Sequence, residues 1–232
     1  MIRPRLASVL LIGGGLLGLI LCLPLRWLVP EGTLSARAVT GSIWSGRIAG
    51  AQWGGVTLGD LDAGLRWPGM LRVSAADPGP DPLRADVSTG EIAGLQGSVP
   101  LGSAFGPVML DRLGFRNARL RQNGAGCAEA EGRVTLTARI TDLPAVPPVT
   151  LGGPLNCEGA NLVASLKSQS GMEQLEAILF PNQGWSVKLT LRPPSADLAT
   201  ALRAQGFAET PLGYVRQIQS DGPLSPSIAA QP

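Results

Sequence analysis

Residues 39–67, VTGSIWSGRIAGAQWGGVTLGDLDAGLRW, constrain the fold more than any other part of the chain. The second half of the stretch alternates: Leu61, Ala63, Leu65 and Trp67 fall on one side, and Asp60, Asp62, Gly64 and Arg66 on the other. A period of two with one apolar side describes a strand with one buried face and one wet face. The first half is punctuated by Gly41, Gly46, Gly50, Gly54, Gly55 and Gly59, at turn-like intervals that argue against a helix. Trp44, Trp53 and Trp67 lie in the same stretch, and large rings in a meander of short strands are expected as core pegs. Trp185, further on, carries the same expectation.

The rest of the chain repeats this grammar. Alternation predicts strands over residues 71–75, 83–88, 92–99, 133–140, 162–167, 174–180 and 185–192. Residues 115–121 carry Arg116, Arg119 and Arg121 and read as a solvated strand face, whereas 108–113 reads as a short helical turn. The proline-rich stretches 77–82 and 144–148 are loops, since a ladder does not tolerate such proline density. Residues 181–184, Pro-Asn-Gln-Gly, suit a hairpin connection. The period then changes. Ser195 is placed as an N-cap, Asp197 lies in the first turn, and Leu198, Ala201 and Leu202 form an apolar stripe. Gly206 is placed to end this one short helix, with Phe207 behind it. Beyond Ile218 the sequence reads as a flexible tail.

The 20 prolines and 31 glycines are natural for a loop-rich β protein. A net charge of +2, spread evenly, leaves no basic footprint for nucleic acid. The chain contains no histidine, which removes Ser-His-Asp and Cys-His catalysis and zinc sites of the histidine type. No phosphate-binding glycine loop, nucleophile elbow or paired carboxylates appear, so no catalytic, cofactor-binding or metal-ligating residue is assigned.

Residues 6–25, LASVLLIGGGLLGLILCLPL, run for twenty positions without a charge. That matches the ~20 residues a helix needs to cross a bilayer. Arg3 and Arg5 in front place the N-terminus in the cytoplasm, and Arg26 and Trp27 follow where the chain leaves the apolar layer. The run is longer than the apolar core of a cleaved signal, so a retained single-pass anchor is the reading. The expected organisation is a cytoplasmic tip and anchor over 1–29, a β domain over 30–217, and a tail over 218–232. A subdivision of the domain near 100–115 stays open.

Cys22 falls inside the apolar run, where it is a filler. Cys127 and Cys157 remain, an even pair expected outside the cytoplasm, where oxidising surroundings favour a disulfide. Closing a loop of about 30 residues would restrict the unfolded chain by roughly 3–4 kcal/mol on a loop-entropy view. Two thiols without histidine do not make a metal site, and the wide spacing is not that of a redox-active pair.

Several of these features in order resemble the protein N family of the bacterial type II secretion system, also called general secretion pathway protein N. They are the N-terminal apolar run, GSIWSGRIAGAQWGG followed by LGDLDAGLRWPGMLR, two separated cysteines each leading a strand, LRPPSADLATALRAQGF, and a GYVRQIQSDGPL-like end. Gly41, Trp44, Gly46, Trp53, Gly54 and Trp67 carry the motif and are expected to be structural. The resemblance implies an inner-membrane protein with a periplasmic, curled antiparallel β domain. It implies a non-enzymatic accessory role in exporting folded proteins, with other inner-membrane components or the secretin as partners. No cofactor is implied. The Gly41, Trp44, Gly46 start is also similar to that of AsmA-like envelope proteins, which implies an alternative: binding or carrying lipid in an open β groove.

Overall fold

The computed structural model describes residues 22–27, 34–53, 56–67, 69–76, 81–105, 108–140, 148–182 and 184–220. The expected anchor lies outside the described residues up to position 21. Among the described residues no helix is long and apolar enough to cross a membrane, which says nothing about strands. The two proline-rich loops and the segment after Ser220 also lie wholly or mostly outside them.

A single turn of 3-10 helix, Leu25–Trp27, is followed by β1 (Leu34–Ser35), β2 (Ala38–Ser42), β3 (Ser45–Trp53), β4 (Val56–Arg66) and β5 (Met70–Ala75). Next come β6 (Arg84–Ser88), β7 (Glu91–Phe105), β8 (Val108–Asn123), β9 (Gly126–Ile140) and β10 (Val149–Glu158). The chain closes with β11 (Asn161–Ser168), β12 (Glu173–Leu179), β13 (Trp185–Leu191), the helix α1 (Ala196–Ala204), β14 (Ala208–Thr210) and β15 (Gly213–Ser220). All the strands belong to one antiparallel sheet, in the order β1-β3-β4 and onward in sequence to β13, then β15 and β14, with β2 also on β3.

Fifteen strands in one sheet cannot stay flat, because each pair adds twist. Extra residues steepen the curl: register shifts interrupt the β3–β4, β6–β7, β7–β8 and β8–β9 pairings. A bulge bends its strand and raises the local twist. The pairings from β10 to β15 run without such shifts, so the irregularity is confined to the first two thirds of the sheet.

The curled sheet buries its inner face in two clusters. One gathers Ile48, Ala51, Leu61 and Ala63 around Leu25. The other runs across β9 to β13 through Val134, Leu136, Leu151, Leu166, Leu175 and Leu189. Register places Leu166, Leu175 and Leu189 opposite one another in a row, and the helix covers one end of that row with Leu198 and Leu202. The helix ends are built as the sequence predicts. Ser195 Oγ accepts a hydrogen bond from Leu198 N at 3.3 Å, and Asp197 stands in the first turn. Gly206 adopts φ +79°, while its N–H reaches Arg203 O and that of Phe207 reaches Leu202 O, both at 3.0 Å. This pair of bonds satisfies two carbonyls of the last turn.

Three expectations need correction. Residues 108–113 are not a helical turn but the start of β8. A bulge between Leu110 and Arg112 flips the alternation, so that Val108, Leu110, Leu113 and Phe115 all turn toward the core, a spacing that imitates a helix. Strand pairing runs past Ile218, beyond which the tail is expected, through Ser220 of β15, and residues 221–232 lie outside the described residues. The alternation of β15 is masked by Arg216, which takes an inward register position and donates from Nη1 to Gln205 O at 2.8 Å, with its guanidinium 5.9 Å from the Phe207 ring. The tryptophans also depart from the core-peg reading: Trp185 is buried, but Trp44 and Trp67 are exposed. β4 ends at Arg66, so Trp67 leaves the strand before alternation can turn it inward.

The fully buried Leu202 joins the helix to the sheet. Leu202→Ala is expected to destabilise the domain by about 2–5 kcal/mol, the usual range for emptying a packed core position. A urea titration followed by far-UV circular dichroism measures it.

Candidate functional site

The motif residues 41–46 form the tight β2–β3 hairpin, in which Gly41 pairs with Gly46 and Ser42 with Ser45. A Cβ on Gly46 would lie 2.6 Å from Leu25 Cδ2 and 2.7 Å from Thr40 O; one on Gly41, at φ +87°, would lie 2.6 Å from Ser45 O. Both glycines are therefore required by close approach. Leu25 comes down on Gly46 because the segment before it is laced to the hairpin. Pro24 bridges to Ser42, and Ile43 N donates to Leu23 O at 2.9 Å. On the hairpin's other side, Leu65 N donates to Ile43 O at 2.7 Å. Leu25 is 0% exposed, so the core of the β domain reaches back into the stretch assigned to the anchor.

Trp44 occupies the hairpin turn, 43% exposed, and Trp67 the β4–β5 turn, 95% exposed. Register brings these turns to the same end of neighbouring strands, since Gly46 pairs with Ala63. Trp53 lies in β3 opposite Leu34 and Val56, but its side chain is outside the described residues, as is Gly54.

The wet face is tied by ion pairs. Asp60 accepts from Gly50 N at 2.8 Å and from Arg47 Nη2 at 3.3 Å, so its carboxylate caps the bulge where Gly50 takes φ +60°. Arg72 and Asp86 face each other across β5 and β6 in a two-pronged pair, Nε to Oδ1 at 2.8 Å and Nη2 to Oδ2 at 3.1 Å. The hydrogen bond from Arg72, with the charges of Arg72 and Arg66, holds the Asp86 carboxyl below its usual pKa against a smaller opposing effect of burial. Arg119 pairs with Glu91, and Arg121 with Glu129. Two of the three arginines of residues 115–121 are thus partnered on the solvated face, as expected.

Cys127 and Cys157 form the expected disulfide, with Cα atoms 5.7 Å apart. The β9–β10 ladder runs from Ala138 opposite Val149 to Arg133 opposite Pro154 and stops there. Proline cannot donate to a ladder. Beyond Pro154 the two strands are held by the disulfide, with Cys127 N donating to Ala160 O at 2.8 Å. The bridge therefore continues a seam that hydrogen bonding leaves open.

Between the helix and the sheet lies an apolar cavity of about 120 Å³, bounded among others by Val108, Leu136, Leu151, Leu175, Leu189 and Leu198. Ligand pockets usually occupy roughly 300–1,000 Å³. This gap is a packing space under the helix. Among the described residues no group of three or more Cys, Asp or Glu side chains is placed to hold a metal ion.

The family model described as type II secretion system (T2SS), protein N, matches residues 32–216. The chain belongs to this family. The match covers the sheet from β1 into β15, with the motif hairpin, both bridged cysteines and the helix. It begins after Leu25, so the segment laced to the hairpin precedes the matched residues. No curated protein and no solved structure matches the chain. The sequence singles out Gly41 and Gly46 but not the reason for them, because nothing in the order of residues shows that Leu25 returns onto Gly46.

Three outcomes follow from this geometry. Gly46→Ala is expected to destabilise the domain by about 1–3 kcal/mol through overpacking. Adding Leu25→Ala should not restore stability, because the Thr40 carbonyl remains in the way; urea titrations of both variants decide. Cys127→Ser should cost about 2–4 kcal/mol, read as a lower midpoint in the same titration. The Asp86 pair stabilises the fold fully above the unfolded carboxyl pKa of about 4 and loses its contribution as pH falls through the lower folded value. In an NMR titration, Arg72→Ala should move the Asp86 midpoint upward.

Proposed function

We propose that this member of the T2SS protein N family is a non-enzymatic accessory component of type II secretion. It is anchored in the inner membrane by the apolar run that begins at Leu6 and ends before Leu23, holds its β domain in the periplasm, and docks other components of the machine by adding a strand at a sheet edge. The observation that carries the docking mode is the β2 edge. β2 has β3 on one side; on the other, apart from the Pro24–Ser42 bridge, no strand lies among the described residues. Its sequence, Ala-Val-Thr-Gly-Ser, has neither the lysine nor the proline that usually guards an edge. The opposite edge, β14, is only three residues long and carries an ion pair from Glu209 to Arg203 at 2.8 Å. Strand addition gives affinity through main-chain bonds and leaves specificity to alternate side chains.

A lipid-carrying groove is the weaker reading, because the helix covers one end of the inner face and the cavity beside it is small.

A photo-reactive residue in place of exposed Thr40 tests the docking mode in cells, with the same residue at Asp62 and Arg139 as comparison. The expected result is crosslinks to other secretion components from Thr40 well above those from Asp62 and Arg139. Crosslinks to phospholipid alone, with no secretion component captured, would remove the scaffold reading.

A further inference from the structure

In a meander, alternate connections gather at one end of the sheet. Connections 43–44, 67–69, 89–90, 124–125, 159–160 and 180–184 share the end at which the chain enters. Hydrogen bonds lace neighbouring members of this set: Leu65 N to Ile43 O at 2.7 Å, Gln122 N to Gly90 O at 2.7 Å, and Cys127 N to Ala160 O at 2.8 Å. None of the connecting residues in this set is charged. Among the described residues, the connections at the other end contain Asp81 and Arg192, with Asp197 and Arg203 on the helix that follows. The connections at the two ends of the sheet therefore differ in charge.

The uncharged end also presents the exposed rings of Trp44 and Trp67, with Arg66 beside the second. Leu23 is hydrogen-bonded to Ile43 at this end, so the residues that precede it in sequence join the domain at the hairpin that carries Trp44. Those residues are the uncharged run. There is no linker: Leu25 is in the core, and consecutive Cα atoms are only about 3.8 Å apart. If residues 6–22 cross the bilayer, this end has to sit on it.

We propose that the turn end carrying Trp44 and Trp67 is seated in the headgroup layer of the membrane that holds the anchor, and that this seat fixes the orientation of the β domain. Indole rings, apolar with one polar N–H, are at home at the level of the headgroups. Arg66 is placed to meet lipid phosphate, and the uncharged turns avoid the penalty of drying an unpaired charge. The proposal rests on the anchor reading above and adds an orientation to it.

The test uses the full chain with Cys22→Ser and the native disulfide intact, reconstituted in vesicles of phosphatidylethanolamine and phosphatidylglycerol. A nitroxide is attached in turn at Trp67→Cys, Trp44→Cys and, at the other end, Asp81→Cys. Power saturation then compares collision with oxygen, which concentrates in lipid, and with a water-soluble nickel chelate. The expected result is an oxygen-to-nickel ratio several-fold higher at positions 67 and 44 than at 81. Equal ratios at 67 and 81, in protein that resists alkaline carbonate extraction, would overturn the seat and leave the anchor standing. Release of the protein by carbonate would overturn both. Trp67 is almost wholly exposed, so its label decides the matter even if Trp44→Cys disturbs the hairpin.

Discussion

A single sheet has to bury its own apolar face, because among the described residues no second sheet lies against it. The curl solves this problem, and the bulges between β3 and β9 supply much of the bend. Each bulge leaves backbone groups to be satisfied, and at Gly50 the Asp60 carboxylate does this. Curling still leaves two openings. Leu25 fills the first, over the Gly41–Gly46 hairpin, and the helix with Phe207 and Tyr214 fills the second. Hydrophobic burial thus enters from the two ends of the described chain, and the strands between provide the wall.

Much of this was legible in the sequence, for identifiable reasons. Period-two alternation survives through the regular pairings of β11 to β13, so these strands and the exposed Asp60, Asp62 and Arg66 stand where they were expected. Capping chemistry is local, and Ser195, Asp197 and Gly206 bound the helix as read. The misreadings have equally physical causes. A bulge changes the parity of β8 without any mark in composition, and Arg216 at an inward position of β15 breaks the apolar pattern while being satisfied by the helix end. Size misled in the case of the tryptophans. Large rings usually belong to cores, yet Trp44 and Trp67 sit in turns, where no alternation governs where they point.

The site was legible as a motif and illegible as a mechanism. Glycines at positions 41 and 46 signal close approach, but the approaching group, Leu25, comes from outside the motif and outside the residues that the family model matches. The disulfide followed from counting cysteines. Its purpose, holding β9 and β10 together past Pro154, needed the register. The Gly41–Gly46 hairpin is therefore best understood as a socket for the segment that precedes it.

The order of the strands has a temporal consequence. From β3 to β13 each strand pairs with its neighbour in sequence, so every hairpin can close before the next strand has been made. Contacts of this kind require little loop closure, and a chain emerging N-terminus first can zip up in step with its synthesis. Leu25 and the motif hairpin come first in that order and give the growing sheet a finished end from which to extend. At the far end, β14 and β15 break the sequence, as β1 does at the near end by pairing with β3 instead of β2. β15 pairs with β13 and β14 lies outside it, so the last-made part of the described sheet, with the helix before it, completes the second core cluster.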